Sequence, residues 1–399
     1  MDDLMRIGLF TSDFPFKDEF ALDDPDISGI KWGGVAEVVY QMALSLNASG
    51  HSVKVFTASP TRKDIVQKHE DIEVFRYGKD LQVAATILST GLVWKPLRHD
   101  LDLVHGHLGT PPGAYAASFY SRRKGRPLVL TIHTPYNETS LQGASLPKRA
   151  SLRLFMGHFC MPMLERADAI TSVSGAVLDE SPYYRQFIHR TTVIPNGVSI
   201  EGLSVGLSKE DCRKALGIPE GKKVVLFVGS LSTYKNPEIL LNAFGRLERD
   251  DDNLLVMIGD GPLRESLMSS AKRLDIEDRV WLPGFVTERE KRLHYKAADL
   301  LVLPSLAEAF PLVLLEAAAF SLPVIVSDID VLKAVVEHGS NGLVFRGGVE
   351  EDLRLNLEKL LDDDELRSEI GRNARAFAEG HDWSRILERY GQIYGSLVH

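Results

Sequence analysis

Residues Leu306–Phe320, LAEAFPLVLLEAAAF, decide how the chain is read. Two glutamates, Glu308 and Glu316, stand in an otherwise apolar segment with Pro311 between them. A carboxylate withdrawn from water without a partner is costly, so at least one of the two has something to hold. The stretch ADLLVLPS just upstream reads as a buried strand. Pro311 suits the first position of a helix, where a missing N–H costs nothing. Glu308 then falls in a loop at the strand's carboxyl end, and Glu316 more than one turn into the helix. The N–H groups of Leu312 and Val313, at the positive end of the helix dipole, favour an anion such as a phosphate. A phosphate flanked by two carboxylates is consistent if each carboxylate takes neutral hydroxyls, as a sugar and a ribose supply. The plainer alternative, from spacing alone, is that Glu316 pairs with an arginine across the domain interface and Glu308 is solvated.

Working outward, short apolar runs alternate with amphipathic stretches along the whole chain. MRIGLF, VKVFTA, DLVHGH, LVLTIH, AITSVS and TTVIPN read as strands of a first parallel sheet. VAEVVYQMALSLNASG is a helix between two of them, with Gly50 as its stop. A second series comprises KKVVLFVGS, NLLVMIGDG, RVWLPGF, ADLLVLPS, LPVIVSD and GLVF, with helical segments such as NPEILLNAFGRLER between. Parallel strands need crossover helices that cover both sheet faces, so the pattern predicts an α/β protein of two doubly wound, Rossmann-like domains. The length of 399 residues suits two cores. The boundary is expected in the aperiodic, Gly- and Ser-rich NGVSIEGLSVGLS, giving domains over 1–200 and 201–380. Ligands of open α/β sheets gather outside the carboxyl ends of the strands, so the cleft between the domains is the expected site.

Composition narrows the function. The formal net charge is -9, and residues 1–200 carry 21 basic and 21 acidic side chains, so the acidity sits in the second half. Leu92 to Arg190 has a basic excess that includes SRRKGR, Lys148 and Arg149, too weak a field for nucleic acid. It either seats the protein on anionic lipid headgroups or is a solvated face. Cys160 and Cys212 are the only cysteines, which suits a reducing compartment. MDDLMRIGLF opens with acids and runs into a strand, unlike a signal peptide. No apolar run reaches the roughly 20 residues of a transmembrane helix. The expectation is a cytoplasmic protein, with peripheral membrane attachment left open.

EAFPLVLLE resembles the E-x7-E motif of the retaining family 4 glycosyltransferases, which have the two-domain GT-B fold. Family members often carry Gly at the positions of Ala309 and Pro311, so spacing and chemistry match while two residues differ. GGVAEVV, LTIHT, VIPNGV, FVGSLSTYKN, IGDGP, LPGFV and the closing DWSRILERYGQIY fall in the family's order, and the likeness covers essentially the whole chain. It implies a metal-independent hexosyltransferase with no cofactor beyond a UDP-, GDP- or ADP-sugar co-substrate. The N-terminal domain would take a lipid, glycan or small-molecule acceptor, the C-terminal domain would bind the donor, and residues 381–399 would form a helix returning to the N-terminal domain.

By that resemblance Glu308 contacts the donor sugar, Glu316 the ribose hydroxyls, and the amides of Leu312 and Val313 the diphosphate, with Phe310 in the same donor-binding set. The family usually has an Arg after the glycine of GSLSTYKN and a Lys five residues on. Here Gly229 is followed by Ser230, and Lys235 alone remains to hold the diphosphate. Lys31-Trp32-Gly33-Gly34 looks like the K-x-G-G loop of the glycogen and starch synthases, and Lys31 is expected to substitute in part for the absent Arg; a loop lysine that only solvates the region is the alternative. Gly33 and Gly34 let backbone amides approach an anion. His133, ending VLTIH, coincides with the family's histidine for the transferred sugar; a merely structural histidine is the alternative. His105 and His107 form an H-x-H that fits acceptor-side or structural roles, without the further ligands a metal would want. A nucleotide-sugar epimerase, a phosphorylase or a noncatalytic nucleotide-sugar binding module would use the same architecture.

Overall fold

Short apolar runs of three to seven residues, separated by amphipathic stretches, fold into two large, mainly parallel sheets in the computed structural model. It describes residues 4–17, 20–22, 33–83, 86–109, 111–136, 155–247 and 252–398. The chain divides into two compact units, residues 1–197 with 383–399, and residues 198–382. The first unit contains β1 (Arg6–Phe10), β2 (Ser52–Ala58), β3 (Ile65–His69), β4 (Ile72–Tyr77), β5 (Leu81–Val83), β6 (Thr86–Leu88), β7 (Leu103–Leu108), β8 (Leu128–Ile132), β9 (Ala169–Ser172) and β10 (Thr191–Val193). Eight of these form one sheet in the order β10-β9-β8-β7-β1-β2-β4-β3, and β5 pairs with β6. All neighbours in the large sheet run parallel except β3 and β4.

The six strands expected here are all present. The sequence reading missed β3 and β4, an antiparallel pair whose two-residue link is Glu70-Asp71, with Glu70 at φ 49°. Such a link normally advertises itself through Gly or Asn, and a Glu there carries no turn signal. The Gly34–Ala48 helix ends near Gly50, whose φ of 92° lets its N–H reach the Asn47 carbonyl at 2.8 Å. The Trp383–Leu397 helix belongs to the first unit and buries Trp383, Ile386, Leu387, Tyr390 and Tyr394 at helical spacing. Gly197 abuts the Trp383 ring, where a Cβ would come within 2.6 Å.

The second unit contains β11 (Lys223–Val228), β12 (Asn253–Ile258), β13 (Val280–Gly284), β14 (Leu300–Leu303), β15 (Val324–Ser327) and β16 (Leu343–Phe345). They form one parallel sheet, ordered β13-β12-β11-β14-β15-β16. Side chains alternate cleanly. Val225, Phe227, Leu255, Met257 and Val302 enter one core, while Val224, Leu226, Leu254, Val256 and Leu301 enter the other. A strand covered on both faces reads as a continuous apolar run, which is why these six were plain in the sequence.

Asp299, just before β14, ties the base of this sheet together. Its carboxylate accepts from Lys209 Nζ, Arg213 Nη2 and the Val224 amide, each at 2.6 Å. The Asp299 side chain is 9% exposed, so its removal strands a cation and an amide in a region with little water. Asp299→Ala is therefore expected to lower the opening free energy of the β11 amides by about 3 kcal/mol. Lys209→Ala, at the wetter end of the pair, should cost less than about 1 kcal/mol. Native-state hydrogen exchange of β11 measures both, and equal effects would show that the Arg213 arm does not carry the interaction.

Candidate functional site

In the second sheet the strand order reverses at β11, whose neighbours are β12 and β14. Crossovers leave this point in opposite directions, so the loops after β11 and β14 bound a crevice at the carboxyl ends of the strands. Backbone bonds extend the ladder beyond the strands. Gly229 N–H donates to Ile258 O at 3.0 Å, Leu231 N–H to Asp260 O at 3.0 Å, and Gly259 N–H to Gly284 O at 2.9 Å. The loops touch so closely that a Cβ on Gly259, at φ 128°, would lie 1.9 Å from the Gly229 carbonyl oxygen. That contact accounts for Gly259, and a Cβ on Gly261, 2.4 Å from the Leu231 carbonyl oxygen, accounts for the second glycine of IGDGP. Leu306 N–H bonds Tyr234 O at 2.7 Å, joining the loop after β14 to the loop after β11.

This joint brings Lys235 to Glu308. Lys235 ends a single turn, Thr233–Lys235, and its ammonium donates to Glu308 Oε1. Ser305 Oγ donates to the same oxygen at 2.7 Å. The Lys235 and Glu308 side chains are 15% and 9% exposed, so Glu308 is paired and not solvated. Ser230, at the position of the absent Arg, presents a hydroxyl and no charge of its own. Its hydroxyl lies 2.7 Å from Ser232 Oγ and 3.2 Å from Tyr234 OH, a cluster of three hydroxyls next to Lys235.

The helix that follows spans Leu312–Ala319. Pro311 is its N-cap and not its first helical residue as expected from the sequence. With ψ at 97° Pro311 is extended, and its carbonyl accepts from Leu314 N–H at 3.0 Å to close the first turn. Leu312 and Val313 are thus the first two helical residues, whose N–H groups have no carbonyl within their own helix. Phe310 packs against a cluster that includes Leu315, Ala318 and Ala378. Glu316 accepts from Lys291 Nζ at 3.1 Å and from Tyr295 OH at 2.7 Å. Both donors lie on the Glu288–Ala297 helix, which a Thr287–Glu290 capping box starts. The arginine partner considered for Glu316 is thus a lysine and a tyrosine, neither of which the sequence reading singled out. Their spacing of four on one helix was the available signal.

In the first unit, Gly33 caps the Gly34–Ala48 helix, and among the described residues a Cβ on Gly33 would meet nothing within 4 Å. Lys31 lies outside the described residues. Gly113, which the sequence reading passed over, holds the loop after β1 close: a Cβ there would come within 2.5 Å of the Thr11 backbone.

His105 and His107 on β7 face the same side of the sheet as Thr131 and His133 of the β8 segment, because β7 and β8 pair His107 with Thr131. His105 is fully buried, with Nδ1 2.7 Å from Tyr394 OH and Nε2 2.6 Å from Thr131 Oγ1. Both ring nitrogens are engaged inside the protein, which leaves an acceptor-side role for His105 without an atom to perform it. Thr131 continues the chain to Thr171 Oγ1 at 2.6 Å. His107 Nδ1 lies 3.0 Å from His133 Nε2, and its ring stacks on His105 with centroids 4.3 Å apart. Thr131, Thr171, Tyr390 and Tyr394 went unnoticed in the sequence; polar residues at alternate positions of apolar strands were the signal.

Chemically, the second unit offers two shielded carboxylates that already have cationic partners, a helix start and a hydroxyl cluster. This suits a ligand that is anionic in one part and rich in hydroxyls in another. Among the described residues no group of three or more His, Cys, Asp or Glu is arranged to hold a metal ion. The fold is the GT-B arrangement of two Rossmann-like units. Residues 32–201 match the family model "Glycosyltransferase Family 4", and residues 208–377 match "Glycosyl transferases group 1". The chain therefore belongs to the family 4 glycosyltransferases.

It is 27% identical to a D-inositol 3-phosphate glycosyltransferase of Corynebacterium glutamicum over 92% of each chain. It is 28% identical to an alpha-monoglucosyldiacylglycerol synthase of Streptococcus pneumoniae, covering 88% of this chain and 76% of that one. Among solved structures, Anabaena Alr3699/HepE in complex with UDP and glucose is similar in fold, with a TM-score of 0.74, 22% identity, and 98% and 100% of the two chains covered.

Burial pushes His105 and His133 down to about 3, with His133 adding to the shift at His105, and holds His107 well below its ordinary value. The folded protein keeps these rings neutral, while an unfolded chain protonates them below pH 6.5. Stability from this source is complete above pH 6.5 and is lost as the pH falls toward 3, at about 1.4 kcal/mol per pH unit for each ring. Unfolding at pH 5 should take up about one proton fewer in His105→Gln than in wild type. Calorimetry in buffers of different ionisation enthalpy reads the difference directly, and equal uptake would mean that His105 is charged in the folded state.

Proposed function

We propose that the chain is a retaining hexosyltransferase that moves a sugar from a nucleoside diphosphate donor to a lipid, glycan or small-molecule acceptor without a divalent metal. The observation that carries this reading is the meeting of Lys235 and Glu308 across the loops after β11 and β14, beside the start of the helix that bears Glu316. Lys235, the amides of Leu312 and Val313, and the loop of Gly229 and Ser230 receive the diphosphate and stabilise it as charge develops on leaving. Glu308 and Ser305 hold sugar hydroxyls, and Glu316 holds the ribose. The first unit binds acceptor, with His133 assigned to the transferred sugar. Lys31, Gly33 and Gly34 act on the donor phosphate. Attack on the face that the phosphate leaves gives retention, and a leaving phosphate oxygen takes the acceptor proton. UDP in the Anabaena complex supports the donor class, and the names of the two relatives point to polyol phosphate and lipid acceptors.

Calorimetric titration with UDP, GDP and ADP, in the absence of metal, tests the donor site. One nucleotide should bind best, and Glu316→Ala should weaken it by roughly 10- to 100-fold, the worth of one charged hydrogen bond or two. Failure of all three to bind would refute the donor assignment. Conversion of donor sugar to an isomer with no acceptor present would establish an epimerase instead.

The same reading extends to a membrane-bound acceptor. The Pro111–Lys124 helix ends in Arg122, Arg123 and Lys124. Phe119 packs edge-on to Trp94 at 4.6 Å, and Trp94 is 55% exposed. Arg123 lies over the Phe119 ring at 5.3 Å. An exposed tryptophan beside a half-buried phenylalanine, with interleaved cations, suits the interface of an anionic bilayer. No helix among the described residues is long and apolar enough to cross a membrane, so attachment would be at the surface. The protein should sediment with phosphatidylglycerol vesicles at physiological salt, and the double variant Trp94→Ala, Arg123→Glu should remain in the supernatant. Equal retention of the two would remove this surface from consideration.

A further inference from the structure

His107 Nδ1 and His133 Nε2 are 3.0 Å apart, a hydrogen bond with two possible directions. A neutral imidazole has one N–H, so the direction fixes which nitrogen is protonated in both rings. If His133 donated from Nε2, His107 would accept at Nδ1 and carry its own proton on Nε2. That Nε2 is buried and has no hydrogen-bond partner among the described residues. The donation would therefore leave an orphaned N–H in the interior, which folded proteins rarely tolerate; an acceptor lacking a partner is tolerated better. In the opposite direction His107 Nδ1–H donates, its Nε2 is a bare lone pair, and His133 carries its proton on Nδ1.

We infer that His107 is a positioning residue that locks His133 in the Nδ1–H tautomer, so that His133 meets its ligand as a hydrogen-bond donor and not as a proton acceptor. His107 is well placed to do this. Its ring is stacked on His105, and His105 is itself held at both nitrogens by Tyr394 and Thr131. The β7–β8 register sets the approach of the two side chains. Burial keeps all three rings neutral, as the tautomer argument requires. With Nε2 occupied by His107, Nδ1–H is the hydrogen-bonding group that His133 has left. A donor of this kind recognises a hydroxyl or ring oxygen of a sugar. It cannot accept the acceptor's proton, a task that falls to the leaving phosphate under the reading above, on which the ligand part of this inference rests.

The tautomer is measurable without any activity. Long-range proton–nitrogen correlation spectra of the 15N-labelled protein distinguish a protonated from a bare ring nitrogen, and His133→Gln assigns the signal by its loss. Wild type should show His133 protonated on Nδ1 and bare on Nε2. In His107→Phe the ring should move toward Nε2–H, the form neutral histidine prefers in water. His107→Asn puts an amide donor near the place of Nδ1 and should restore the Nδ1–H form. Turnover by His107→Phe should fall about tenfold, with the donor KM within about twofold of wild type and recovery in His107→Asn. An Nε2–H signal from His133 in wild type overturns the inference, and that measurement does not depend on any variant folding. The Nδ1–H signal in a protein whose turnover is indifferent to His133→Gln would uphold the tautomer lock and overturn instead the assignment of His133 to the sugar.

Discussion

In the second unit a parallel sheet is covered on both faces by apolar packing, and that constraint places the candidate site. In β11, β12 and β14 the residues on both faces are buried and apolar, save Lys223 and Asn253 at the first positions of β11 and β12. Groups able to bind a charged, hydroxyl-rich ligand can stand at the ends of the strands, where the chain turns back toward a helix. The backbone must still be satisfied there, so the loops pack on one another as the strands do. Gly229 against Gly259, and Leu306 against Tyr234, continue the order of the sheet past its last formal residue. Lys235 and Glu308 meet because their loops are joined in this way, and the precision of the proposed donor site descends from the sheet.

The carboxylates of that site are held before any ligand arrives. Glu308 has Lys235 and Ser305, and Glu316 has Lys291 and Tyr295. An unpartnered charge in so dry a place would cost several kcal/mol, and these pairs remove that cost. They also shape what can enter. On the donor assignment proposed above, a diphosphate competes for Lys235, and to the extent that it draws the ammonium away, Glu308 needs new donors. Ser305 remains on one oxygen, and sugar hydroxyls can fill the rest. A phosphate without its sugar would leave Glu308 short of donors, which favours the intact nucleotide-sugar over its fragments.

What was legible in the sequence follows the same physics. The twelve two-sided or nearly two-sided strands announced themselves as apolar runs, and the carboxylates of Leu306–Phe320 stood out because an apolar segment has no use for them. The β3–β4 pair was opaque: IVQKH alternates as an edge strand does, and its turn at Glu70 has neither Gly nor Asn. The partners of Glu316 were opaque for a different reason. Lys291 and Tyr295 belong to a helix whose surface pattern is ordinary, and only the fold brings that helix beside the Leu312–Ala319 helix. Pro311 shows how fine the limit is, since a proline suits both the first helical position and the residue before it.

The polar interior of the first unit obeys another rule. There Thr131, Thr171, Tyr390, Tyr394 and three histidines are linked without a single formal charge, because burial holds the imidazoles neutral and the phenols protonated. Neutral groups share protons along a chain, so each bond constrains the direction of the next. The chain from Tyr394 through His105 to Thr131 immobilises the ring on which His107 stacks, and His107 in turn decides which nitrogen of His133 is protonated. The second unit, by contrast, works through ion pairs that a charged ligand can exchange. A donor with a dianionic diphosphate and neutral hydroxyls calls for both kinds of chemistry. Exchangeable charge suits the part that must leave, and a fixed neutral donor suits the part that must be held while it is transferred.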